Sequence, residues 1–339
     1  MLRIRDIASA PGEKKQGFIE VGDTPNGPAR MPIAIAHGRQ EGPILCITAG
    51  VHATEYPPIA AAMRLIQNLQ PETLRGVVLV VPVVSMAMYQ SRLPFVSPLD
   101  GLNLNKINPV APDGSSSERL AEILLKEVIG HAQYHIDLHA GDFGEHLLPF
   151  AGFPATHDER IDCRAEAMSR LFSPGIVSIS RDAGSLSPSY TGGIVQAAMR
   201  MGVISILGES DGDGSSQDAD VSVHYDGVVN VMRYLNMLEG DPTVTGPRWM
   251  ATDRFVIRAS RAGFVHMKAQ LGTPVSQGEV LAEILDVFGN MVERVTAPRP
   301  GVPGMIWTRK VVNSGDPVVR CWSVEPAPPF PEVDKFRLA

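Results

Sequence analysis

Residues 43–69 read PILCITAGVHATEYPPIAAAMRLIQNL, and how they are read decides the fold. The opening PILCITAG (43–50) is apolar almost throughout, the pattern of a strand buried on both faces. From Glu55 to Leu69 the apolar residues recur at helical spacing. Pro57 and Pro58 fall where an opening helical turn tolerates proline best. A buried strand running through a short turn into a helix is the first half of an α/β unit. The turn itself carries His52 and Glu55, three residues apart.

The same alternation continues along the chain. GVVLVVPVV (76–84) reads as a strand, weakened as a central one by Pro82, which cannot donate to a ladder. SSSERLAEILLKEVIG (115–130) reads as a helix opened by a Ser115–Glu118 capping box, and YHIDLH (134–139) as the next strand. Helical periodicity over 157–172 and 192–202 then alternates with the apolar runs 175–180 and 203–209, and 218–238 closes the series. Apolar strands separated by helices predict a mostly parallel central sheet with helices on both faces. The Gly-, Pro- and Thr-rich stretch near 240–250 marks a boundary. Beyond it, short β-type runs in two similar halves predict a small C-terminal all-β barrel or sandwich. The expected division is an α/β domain over 1–242, its first 40 residues a β segment, and a β domain over 250–330.

Composition narrows the function. The 339 residues are 44% hydrophobic and 20% charged, with a formal net charge of −7 and no basic stripe. Those values argue against a nucleic-acid or anionic-membrane surface. No apolar run approaches the roughly 20 residues that span a bilayer, and the first residues lack a secretory apolar stretch. Cys46, Cys163 and Cys321 are too dispersed for a disulfide framework or a CxxC site. The expectation is a cytoplasmic protein; a homo-oligomer is compatible with everything above. Lys268, in HMKAQ, invites comparison with a biotinyl or lipoyl carrier, but it sits within an apparent strand rather than at a hairpin tip.

In open α/β sheets, ligands bind beyond the carboxyl ends of the strands. Four polar residues fall there: His52 and Glu55 after the first strand, His139 after the third, and Glu209 after the last. Two histidines and a carboxylate form a catalytic zinc set with a position left for water, and a further carboxylate suits a general base. Each residue alone has a plainer reading, Glu55 at the positive end of a helix and His139 as a satisfied polar group. Asp137 shares a strand face with His139 and could orient it, or could pair with a cation elsewhere. His135 lies deeper on that face, as a hydrogen-bonded core histidine would. The long loop 91–114 offers Arg92, Asn103, Asn105 and Lys106, which could grip a carboxylate or an oxyanion, or could simply make solvated turns.

These stretches resemble a known pattern. GVHATE (50–55), DGLNLNKINP (100–109), DLHAG (137–141) and ILGESDGDG (206–214) are similar, in order, to elements of the succinylglutamate desuccinylase/aspartoacylase family. That family belongs to the zinc carboxypeptidase-like superfamily. The resemblance runs from about residue 30 to 238, and the C-terminal β segment resembles the small appendage of many members. It implies one zinc ion per chain held by His52, Glu55 and His139, with Glu209 activating the water. Asn105 and Lys106 would bind a substrate carboxylate, and Arg92 would polarise the scissile carbonyl. The implied reaction is hydrolysis of the amide of a small N-acyl amino acid. Lys106 stands where the family has arginine, Asn108 where it has phenylalanine, and Ala53 where it has glycine. These departures leave the zinc set intact and put the substrate in question. Two alternatives remain beside the deacylase: a carboxypeptidase-like metallopeptidase, and a metal-binding regulatory protein with impaired catalysis.

Overall fold

A computed structural model describes residues 1–107, 113–156, 158–173, 175–180, 193–244 and 248–330. Its centre is a twelve-stranded sheet. In spatial order the strands are Lys14–Thr24, Gly27–His37, Arg75–Val81, Gln40–Ala49, Tyr134–Ala140, Ile204–Ser210, Phe150–Pro154, Ile176–Ser180, Trp249–Arg258, Pro317–Pro326, Val302–Trp307 and Glu145–Leu147. The four strands from Arg75–Val81 to Ile204–Ser210 run parallel, and it is their carboxyl ends that build the site.

The sheet as a whole is mixed, not mostly parallel as the periodicity suggested. Lys14–Thr24 and Gly27–His37 form a hairpin, which joins Arg75–Val81 antiparallel. Phe150–Pro154 lies antiparallel to Ile204–Ser210. The reason is in the connections: a parallel neighbour needs a crossover of a dozen or more residues, usually a helix. No helix separates Tyr134–Ala140 from Phe150–Pro154, so the chain returns in the opposite direction.

Burial on both faces of the central strands explains their unbroken apolar runs. Leu45, Cys46 and Ile47 are all fully buried, yet they serve different clusters. Leu45 and Ile47 pack with Ile59 and Leu65 of helix Tyr56–Asn68, Met168 of helix Glu159–Phe172 and Val231 of helix Asp218–Tyr234. Cys46 packs with Ile33, Leu79 and Ala121, the last from helix Ser116–Ile123. Each such aliphatic side chain contributes roughly 1.5–3 kcal/mol over an exposed one. The expected capping box is present: the Ser115 hydroxyl accepts from Glu118 N, and Glu118 Oε2 accepts from Ser115 N at 2.8 Å. The helix it opens is shorter than expected, changing to a wider turn at Leu124–Val128. Arg75–Val81 ends one residue before Pro82, as the missing donor requires.

Beyond residue 248 the chain divides between two sheets. Met291–Thr296, Val280–Leu285, Gly263–Met267 and Val311–Val312 form a separate four-stranded antiparallel sheet, whose Leu281, Ile284 and Val295 share a core with Ile257, Val319 and Cys321. Trp249–Arg258, Pro317–Pro326 and Val302–Trp307 instead extend the large sheet. Ile176 pairs with Trp249 in parallel, and Met305 pairs with Leu147 antiparallel. The C-terminal strands thus cover edges that would otherwise expose unpaired backbone groups. Trp322, 1% exposed, seals the junction against Phe150 at 5.4 Å between ring centroids. Among the described residues no helix is long and apolar enough to cross a membrane.

Candidate active site

Strand Gln40–Ala49 ends at Gly50, whose φ of 65° suits glycine. A Cβ there would lie only 3.1 Å from Cα of Val83. The tight turn carries His52 over the strand end and leaves Glu55 at the N-cap of helix Tyr56–Asn68. Glu55 makes no capping hydrogen bond. Its carboxylate is used between two histidines instead: Oε1 lies 2.7 Å from Nδ1 of His52, and Oε2 lies 2.9 Å from Nδ1 of His139. Oε2 also accepts from the backbone N–H of Ala140, at 3.0 Å. The three side chains are buried, and their ligating atoms lie within 4.8 Å of one another.

The donor chemistry fits a metal ion. Each histidine commits its far nitrogen elsewhere. His139 Nε2 is 3.1 Å from Asp137 Oδ2, and His52 Nε2 is 3.0 Å from Asn103 Oδ1. The backbone N–H of Asn105 donates to that same Asn103 atom at 2.9 Å, which identifies it as the carbonyl oxygen. Both Nε2 atoms must therefore donate, and in the neutral rings both Nδ1 lone pairs converge beside one carboxylate. Without a cation, protons fill that role. Burial opposes charge on His139, but Glu55 and Asp137 outweigh it and hold the pKa well above the usual histidine value. Glu55 is driven down to about 2 by the two histidines, against the opposing effect of burial.

Beneath the trio runs a dry chain of hydrogen bonds. The register places Thr48 beside Asp137 and His135 beside Ser205, all on one sheet face. Thr48 donates its hydroxyl proton to Asp137 Oδ1 at 2.5 Å, so it must accept from His135 Nε2 at 2.9 Å. His135 Nδ1 then accepts from the Ser205 hydroxyl at 2.7 Å. Burial pushes the His135 pKa down to about 4, consistent with a neutral ring.

Glu209 pairs with His139 across neighbouring parallel strands, which brings both side chains to the same face. Its Oε2 is buried without a hydrogen-bond partner among the described residues. Burial, then Glu55 and Glu145, raise its pKa well above the carboxylate range against the pull of His139 and Arg320. Glu145 is itself raised to about 7, chiefly by burial. Glu209 and Asn105 line one cavity, together with Ser180, Gln196, Arg254 and Arg320.

The four strand-end residues of the sequence reading thus come together, with Asp137 behind His139. Asn105 lies in the cavity, its Oδ1 accepting from Ile194 N at 3.4 Å. Arg92 and Lys106 are exposed and do not line that cavity; Arg92 is the left-handed residue that ends helix Met86–Ser91. His146 is paired with Asp211 at 2.9 Å, and Lys268 with Glu283 at 3.2 Å. Asn108 lies outside the described residues. Sequence reasoning missed Thr48 and Ser205, whose hydroxyls gain meaning only from register, and Arg254 and Arg320, which come from the β segment. Asn103 was visible as a loop donor, but not as the acceptor that orients His52.

A sequence model described as the succinylglutamate desuccinylase/aspartoacylase catalytic domain matches residues 41–235. The chain belongs to this family. It is 28% identical over 300 residues to the N-alpha-acetyl-L-2,4-diaminobutyric acid deacetylase of Halomonas elongata, covering 86% of this chain and 85% of that one. It is 24% identical over 281 residues to the succinylglutamate desuccinylase of Ectopseudomonas mendocina, covering 78% and 81%. The crystal structure of a succinylglutamate desuccinylase/aspartoacylase from Rhodobacter sphaeroides superimposes with a TM-score of 0.84 at 23% identity, over 95% of this chain and 98% of that one. Coverage that high means the fold shared with this succinylglutamate desuccinylase/aspartoacylase takes in the C-terminal β segment as well as the mixed α/β sheet.

Proposed function

We propose that this protein is a cytoplasmic, zinc-dependent amidohydrolase that removes the acyl group from an N-acyl amino acid or a related small molecule. The observation that carries the reading is the convergence of His52, Glu55 and His139 beside the half-buried Glu209, whose buried Oε2 has no hydrogen-bond partner among the described residues. Both curated relatives bear names that describe removal of an acyl group from an amino acid. In this reading the trio holds one zinc ion. When bound, the ion would lower the pKa of a water toward about 7, polarise the amide carbonyl and offset the repulsion from Glu55 that raises Glu209.

Glu209 takes the proton from the attacking water as the C–O bond forms. It returns that proton to the amide nitrogen as the C–N bond breaks, releasing an acid and an amine, and the acid's remaining proton passes to the amine to give a carboxylate and an ammonium product. Asp137 keeps the His139 N–H in place, and Asn103 does the same for His52. Asn105 contacts the substrate in the cavity. Arg92 and Lys106, at exposed positions, contribute a general attraction for an anionic substrate.

The test is amine release from a panel of N-acetyl and N-succinyl amino acids, with metal content measured on the same preparation. Wild-type protein should carry about one zinc per chain and hydrolyse part of the panel. Glu209→Gln should keep its zinc and lose about 10²- to 10⁴-fold in kcat. Unchanged turnover in that variant would overturn the assignment of the base. Protein without metal and without hydrolysis would overturn the reading itself.

A further inference from the structure

The cavity beside Glu209 has a wall that the catalytic steps do not use. Arg254 belongs to strand Trp249–Arg258 and Arg320 to strand Pro317–Pro326. In the antiparallel register Arg254 faces Trp322 and Arg320 faces Val256. With a two-residue period, both arginines therefore share the face that carries Trp322. That face is the one pressed onto the α/β part of the molecule, where Trp322 packs with Phe150 and Ile176. Both arginines are half-buried and line the cavity with Glu209 and Asn105.

Arg320 is further steadied by the Trp307 ring, whose centroid lies 5.4 Å from its Cζ. Its charge reaches the carboxylates of Glu145 and Glu209, lowering the pKa of each against burial. Two positioned guanidiniums in one cavity make an anion site of the planar kind that suits a carboxylate. Lys106 offers no such fork and lies outside the cavity lining.

Resting on the amidohydrolase reading above, we propose that Arg254 and Arg320 form the subsite for a free carboxylate on the substrate. The C-terminal β strands thereby select anionic N-acyl compounds. Two sources share this chemistry: the α-carboxylate of the amino acid, or a terminal carboxylate on a dicarboxylic acyl group. The cavity receives either as a carboxylate one subsite away from the scissile amide.

The test uses zinc-loaded full-length protein and three matched substrates: the N-acyl amino acid from the panel that is hydrolysed best, its α-carboxamide, and an N-succinyl amine with no α-carboxylate. Arg254→Gln and Arg320→Gln should each lose about 10- to 100-fold in kcat/KM on the carboxylate substrate, mainly through KM. On the uncharged amide the loss should be about tenfold smaller than on the acid. Arg→Lys at either position should restore the loss only in part, and keeps the test open if a glutamine variant folds poorly. Loss confined to the α-carboxylate substrate places that group in the subsite; loss confined to the succinyl substrate places the acyl carboxylate there. The proposal is overturned if folded, zinc-loaded variants keep full discrimination, or if all three substrates lose equally. It is also overturned if Arg320→Gln moves only the pH profile of kcat, which would make that residue a partner of Glu209. Failure of wild-type protein to hydrolyse any panel member sinks the amidohydrolase reading instead.

Discussion

The two walls of the site are built in opposite ways. On one side, His52, Glu55 and His139 stand at the ends of two adjacent parallel strands, Gln40–Ala49 and Tyr134–Ala140. They are buried, and apart from Asn103 on the loop, which holds His52, their orienting neighbours lie a few residues away in sequence or one strand away in space. On the other side, the cavity draws on the loop before helix Ser116–Ile123, on strand Phe150–Pro154, and on two strands that follow helix Asp218–Tyr234 in the chain. A metal set needs tight angles and short distances, so it is served by rigid neighbouring strands. Substrate recognition tolerates distributed parts, so it can diverge while the metal set stays fixed.

The largest expected effect breaks the first wall. Glu55→Ala removes the carboxylate between the two Nδ1 atoms and the acceptor of the Ala140 N–H. Zinc content should fall well below one per chain, and hydrolysis should fall to background. For an enzyme of ordinary rate enhancement that is at least about 10⁴-fold. Metal analysis of the purified variant is the check, and retention of both zinc and turnover would remove Glu55 from the ligand set.

This wall was also the legible one. A histidine and glutamate three apart after an apolar run, and an Asp-x-His two residues apart on a strand, are local patterns, and strand-end placement follows from periodicity alone. Register was not legible. Thr48 and Ser205 look like ordinary strand polar residues until the parallel pairing sets them on either side of His135. Strand Phe150–Pro154 was not read from the sequence at all, because the short strands after His139 are set off by no helical segment. Arg254 and Arg320 were invisible because their partners lie in a different part of the chain, and strand periodicity says which residues share a face but not what that face meets.

A smaller effect is expected from Asp137→Asn, which keeps the size of the side chain and removes its charge. Oδ2 accepts from His139 Nε2, and Oδ1 accepts from Thr48. An amide can present only one oxygen, so one of these partners meets an NH2 group instead. Zinc affinity should weaken by about 10- to 100-fold, the usual cost of losing such a supporting group. Competition with a chromogenic chelator measures it without reference to activity. Unchanged affinity would mean that His139 is held by packing alone.

The smallest effect tests whether the layer under the metal site is as dry as its hydrogen bonds imply. His135 has a folded-state pKa of about 4, against an ordinary value near 6.5, because burial disfavours its charged form. As pH falls from 6.5 toward 4, the unfolded chain takes up a proton at this residue that the folded chain refuses. Stability must therefore rise with pH across that window and be lost on acidification. Between pH 7 and pH 5 the His135 contribution to that loss is about 2 kcal/mol. A glutamine side chain at this position does not titrate, and its amide can still donate toward Thr48 and accept from Ser205. His135→Gln should therefore be less stable than wild type at pH 7, yet lose about 2 kcal/mol less than wild type on moving to pH 5. Urea denaturation of both zinc-loaded proteins at the two pH values isolates this difference, since the metal ligands themselves titrate alike in each. Equal acid losses would mean that His135 accepts a proton inside the folded protein. The relay from Ser205 to His139 would then be open to solvent.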